Sequence, residues 1–169
     1  MEVFCSPGMS IQEVANRASE PLKLDPNRPK QSGAITGPVN VHYLLTEGVV
    51  RFDNAGLLTL SFEQRILLFV RVNPHLYALT REDLSKVQNE TLELLKAHGG
   101  FIRPSQKAEF EELIETLAKS KTPRKSPPWS FGGLIQEDTF AMTIYKQQDR
   151  DRYTFQLMFD RPSVTKSLS

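Results

Sequence analysis

In the last third of the chain apolar residues recur at every second position: Phe140, Met142 and Ile144, then, past a polar stretch at 147–152, Tyr153, Phe155, Leu157 and Phe159. Period two puts each set on one face of a strand, so two such runs joined by a polar segment predict a β-hairpin. The alternate positions carry Ala141, Tyr145 and Met158. That second face is therefore expected to be covered by helices, to join a larger sheet or to form a partner interface, with Tyr145 and Met158 as the interface candidates. The same alternation recurs earlier in Val39, Val41, Tyr43 and Leu45. Short apolar runs at 49–52 and 57–60, separated by Asp53-Asn54-Ala55-Gly56, complete the signal of a β-meander.

Elsewhere the period is helical. Ser10-Ile11-Gln12-Glu13 forms a capping box with Met9 and Val14 placed as a hydrophobic staple, predicting a short helix over 11–20 that Pro21 ends. Residues 23–38, with Pro26, Pro29, Gly33, Gly37 and Pro38 among polar residues, read as a loop or linker, from which the N-terminal helix either docks or swings free. Ser61-Phe62-Glu63-Gln64 is a second capping box. It favours a helix across Ile66, Leu67, Phe69 and Val70, although the same run also satisfies a buried strand. Thr80-Arg81-Glu82-Asp83 opens a longer helix, with Leu84, Val87, Thr91, Leu94, Leu95 and His98 along one face before Gly99 and Gly100. A further helix over 105–119, striped by Phe110, Leu113, Ile114, Leu117 and Ala118, would pair with it as an antiparallel hairpin.

The expected fold class is thus α+β: an antiparallel sheet, built from the meander and the C-terminal hairpin, packed against a helical hairpin, with a short N-terminal helix. The expected organisation is an N-terminal helix and linker over 1–38, one domain over 39–161 and a frayed tail over 162–169.

Composition narrows the setting. The 169 residues suffice for one domain with a real core, to which ten Phe, four Tyr and one Trp contribute large apolar surfaces. Cys5 is the single cysteine, so neither an internal disulfide nor a thiolate zinc site is available, and a reducing, cytoplasmic setting is expected. The N-terminus lacks the basic start and apolar run of a secretion signal. The longest apolar stretch, Ile66-Leu67-Leu68-Phe69-Val70, falls far short of the ~20 residues that span a bilayer. With a net charge of +1, no global field favours nucleic acid or membrane, so any charged partner must be met by a local patch.

Local chemistry is sparse. Three histidines, His42, His75 and His98, are scattered. No nucleophile elbow, glycine-rich phosphate loop or paired His/Cys metal signature occurs, so no cofactor and no metal is expected. Only His42, His75, Asp53 and Glu47 can be nominated for an enzyme site assembled from distant segments. Glu109, Glu111, Glu112 and Glu115 read as a solvated helix face, and His98-Gly99-Gly100 as a helix end. The basic connector carrying Lys119, Lys121, Arg124 and Lys125, followed by Trp129 and Phe131, offers phosphate or acidic-partner contacts. Thr122-Pro123 and Ser126-Pro127 within it fit proline-directed phosphorylation. The expectation is a non-catalytic protein-interaction or assembly module acting through an apolar sheet face or edge, including self-association. Toxin-neutralising proteins, viral structural or accessory proteins and adaptor subunits all suit that description. Binding of nucleic acid or an anionic surface through 119–125 and a small enzyme are the alternatives.

Overall fold

The computed structural model describes residues 1–102, 112, 115–117, 119, 130–147 and 151–169. The fold is mixed α+β, with one eight-stranded, mostly antiparallel sheet and few helices. In chain order the elements are β1 (Glu2–Cys5), α1 (Ile11–Asn16), β2 (Gln31–Leu44), β3 (Val49–Glu63), β4 (Ile66–Asn73), α2 (Arg81–Ala97), β5 (Gly100–Phe101), β6 (Ser130–Ile135), β7 (Asp138–Lys146), β8 (Tyr153–Asp160) and α3 (Pro162–Ser167). The spatial order is β1-β2-β3-β4-β8-β7-β6-β5, and among the described residues only β1 and β2 run parallel.

The C-terminal hairpin forms as its alternation demands: Phe140 lies opposite Phe159, Met142 opposite Leu157 and Ile144 opposite Phe155, all buried. The meander also forms, but Asp53 to Gly56 do not separate two strands. They lie inside β3, where Asn54 takes a positive φ of 56° and the register against β2 shifts on either side of Val39. Such bulges bend a strand pair and increase its twist.

Three stretches depart from expectation. Residues 31–38, read as linker, are strand: Gln31 to Thr36 pair with Leu57 to Phe62. Their glycines serve close approach, since a Cβ on Gly37 would fall 2.0 Å from the carbonyl oxygen of Ala55. Residues 66–70, read as helix, are β4. Gln64 and Arg65, at φ 49° and 67°, make the left-handed two-residue turn of a tight hairpin, so the second capping box is a coincidence of composition. Finally, part of the tail is helical, with Pro162 in the first turn of α3.

The N-terminal segment is docked. Ser10 caps α1 reciprocally with Glu13, and the helix ends at Arg17, short of the expected residue 20. Ile11 and Val14 are buried, each worth roughly 1.5–3 kcal/mol when removed from water. The backbone of residues 8–11 clips onto the start of β4 through Gly8 N–H to Leu67 O at 2.9 Å and Leu67 N–H to Met9 O at 2.8 Å.

Helix α2 starts at the Thr80 cap as expected, and Gly99 supplies the left-handed closing residue at φ 85°. Its buried stripe is Leu84, Gln88, Thr91, Leu92 and Leu95, rotated from the expected one: Gln88 and Leu92 face inward, while Val87 and Leu94 are half-buried. It packs against β8 and β5. Glu112, Glu115, Thr116, Leu117 and Lys119 are helical, and Arg81 of α2 reaches Glu115 at 2.8 Å. The rest of the expected second helix lies outside the described residues.

The core sits where the sheet curls over itself. Tyr43 on β2 stacks on Phe159 of β8 with ring centroids 4.2 Å apart, and Phe52 of β3 tilts against the same ring at 6.1 Å. At the rim, the Gln136 side-chain amide accepts from Glu47 N–H at 2.9 Å and donates to Glu47 O at 2.8 Å, joining the β2–β3 turn to the β6–β7 turn. His75, just past β4, prolongs that strand's pairing by side chain: Nδ1 faces Tyr77 O at 2.7 Å, and Nε2 accepts the Phe155 N–H at 2.9 Å.

Candidate functional site

The inner face of the sheet is the core, so the functional question concerns the outer one. Across β5, β6, β7 and β8 the register aligns Phe101, Leu134, Thr139 and Asp160 in one row and Gly132, Ala141 and Met158 in the next. Between them lies a groove of about 500 Å³. Phe101 and Leu134 are direct cross-strand partners and are 61% and 57% exposed, so two large apolar side chains stand together in water at its edge. Sheet geometry explains the hollow: Gly132 has no side chain, Ala141 a short one, and Met158 and Leu134 rise on either side.

The polar contribution comes from Thr139 and Asp160, register partners on β7 and β8, with the Thr139 hydroxyl donating to Asp160 Oδ1. Asp160 is half-buried, and among the described residues its carboxylate meets no cation. The adjacent Arg161 is engaged by Asp138, Nε to Oδ1 at 2.6 Å and Nη2 to Oδ2 at 3.2 Å. This arrangement can hold an apolar group against the strands and fix its direction by one charged end.

Of the two interface candidates, Met158 lines the groove. Tyr145 shares its face, opposite Thr154 and partly exposed, but lies four residues along β7 from Ala141, roughly 13 Å at strand rise, and does not line it. Lys119 is exposed, 3.9 Å from Glu115. Lys121, Arg124, Lys125 and Trp129 lie outside the described residues. Phe101, Leu134, Thr139 and Asp160 escaped sequence reasoning because β5 spans only two residues and pairs at the far end of the sheet.

The enzyme nominees are tied to separate partners. His42 lies on the outer face of β2 under the ring of Phe4, centroids 4.2 Å apart, with Nε2 bonded to Glu2 Oε2. Glu2 also accepts from Asn40 at 2.7 Å; that hydrogen bond, then the one with His42, holds its carboxyl below the usual carboxylate range. Asp53 faces Arg51 at 3.4 Å, Glu47 is bonded through its backbone to Gln136, and His75 belongs to the β8 backbone. Among the described residues no group of three or more His, Cys, Asp or Glu is placed to hold a metal ion, and no helix is long and apolar enough to cross a membrane. No protein-family model, no curated protein and no solved structure matches this chain.

Proposed function

We propose that this protein is a non-catalytic interaction module whose outer sheet face takes an apolar portion of a protein partner into the groove between β5 and β8. The observation that carries this reading is the exposed pair Phe101–Leu134 beside a formed hollow. Apolar surface costs roughly 25 cal/mol per Å² while wetted, and an exposed apolar patch rimmed by polar residues is the usual mark of a contact site. Met158 adds an adaptable thioether at its border.

The test compares immobilised wild-type chain with Leu134→Asp and with Arg152→Glu, an exposed position outside the groove lining, in capture from native extract followed by mass spectrometry. A partner kept by wild type and Arg152→Glu but lost from Leu134→Asp supports the reading; identical captured sets from all three overturn it. Sedimentation velocity on the same proteins shows whether a second copy of the chain is that partner.

A further inference from the structure

We propose that the groove selects a partner segment in which an apolar side chain is accompanied by a lysine or arginine, whose cation is bound by Asp160; this rests on reading the groove as a docking surface. Asp160 lines the apolar hollow half-buried, and an ionised carboxylate offers about four acceptor positions, of which Thr139 occupies one. Its neighbours do not neutralise it. Arg161 is spent on Asp138, and Arg71, opposite Met158 on β4, forms no ion pair among the described residues. From the register, Arg71 stands diagonal to Asp160 across the β4–β8 pair, and no ion pair joins the two side chains.

Covering this carboxylate with a purely apolar partner would strip its water without replacing it, an uncompensated desolvation of a charge. A partner that brings a guanidinium or ammonium avoids that cost and gains a charge-assisted hydrogen bond. A second copy docking groove on groove would instead bring its own Asp160 to the same drying patch, like charge on like, which disfavours a symmetric self-dimer through this face.

The probe is an acetylated, amidated heptapeptide, Gly-Leu-Thr-Phe-Thr-Arg-Gly, whose Leu, Phe and Arg fall on one side when extended. It is compared with versions carrying citrulline or glutamate in place of arginine, each titrated into the full chain and followed by NMR shifts of Phe101, Leu134 and Met158. The arginine peptide should bind roughly three- to ten-fold tighter than the citrulline one, and the glutamate peptide weakest. Asp160→Asn, which keeps an acceptor for Thr139, should erase the difference between the arginine and citrulline peptides. Equal binding of arginine and citrulline peptides, tighter binding of the glutamate peptide, or a preference that survives Asp160→Asn overturns the basic-partner assignment and leaves the apolar docking surface standing. If no peptide shifts those three residues, both fall.

Discussion

Tyr43 and Asp138, 95 residues apart in sequence, meet in the core, the phenol donating to Asp138 Oδ2 at 2.5 Å. Tyr43 is fully buried and Asp138 is 1% exposed. Arg161 grips both oxygens of the same carboxylate and reaches Ser6 Oγ at 3.1 Å, so one buried charge ties together β2, β7, the segment after β1 and the start of α3. The pairing holds the arginine protonated more firmly than usual, first through its hydrogen bonds to Asp138, and burial pushes the tyrosine well above its ordinary range.

Removing a member of such a network should cost according to what is left unpaired. Asp138→Ala strands the Arg161 cation and the Tyr43 hydroxyl and should cost about 3–5 kcal/mol in urea unfolding; Tyr43→Phe, which leaves the carboxylate with Arg161, about 1–2 kcal/mol. The double variant should lose less than the two single losses combined, because the phenol has no acceptor once Asp138 is gone. Losses that add to within 0.5 kcal/mol or so would show that the two side chains are not coupled.

Cys5 makes a prediction about alkali. Burial pushes its thiol from the ordinary 9.0 up to about 12, so between those values the folded chain holds a proton that the unfolded chain has released. Stability from this group is complete below pH 9 and is lost as pH rises toward 12, with a slope approaching 1.4 kcal/mol per pH unit. Tyr153, raised to about 12 mainly by burial and then by Asp151, has the same sign from pH 10 upward. Cys5→Ala should be about 1 kcal/mol less stable at pH 7 yet nearly flat from pH 9 to 10. Unfolding curves for the two proteins that stay parallel across that interval would rule out the thiol as the source.

The parts of this fold visible in the linear chain are those whose causes are local. Phe140 to Ile144 and Tyr153 to Phe159 each alternate cleanly, and Ser10 and Thr80 cap helices with partners three residues away. The parts that were hidden depend on distant strands. Gln31 to Thr36 resembles a linker until Leu57 to Phe62 pairs with it, and Ser61-Phe62-Glu63-Gln64 reads as a helix start unless the Gln64–Arg65 turn is seen to lead into β4. Nothing beside His75 in the chain foreshadows its bond to Phe155, 80 residues on. The groove follows the same rule: Met158 could be nominated from its own strand, whereas Phe101 and Leu134 become neighbours only when β5 closes the sheet.

Gly132 and Gly133, adjacent and chemically identical, should respond oppositely to the same substitution. A Cβ on Gly133 would fall 2.3 Å from Phe140 Cζ and 2.5 Å from Phe101 O, on the packed face and against backbone that cannot yield cheaply. A Cβ on Gly132 meets only Phe140 O at 3.7 Å, an ordinary contact, and points to the outer face where the groove lies. Neither glycine has a positive φ, so strain does not distinguish them. Gly133→Ala should therefore cost about 1–3 kcal/mol through overpacking, whereas Gly132→Ala should be neutral or stabilise by about 0.4–1 kcal/mol through reduced freedom of the unfolded chain. Thermal or urea unfolding of the two variants decides this. Gly132→Phe then extends the contrast from stability to binding, since a ring at that position fills the hollow: a fold of wild-type stability with lost groove binding is the expected outcome. Retained binding by a well-folded Gly132→Phe would place the contact elsewhere on the sheet.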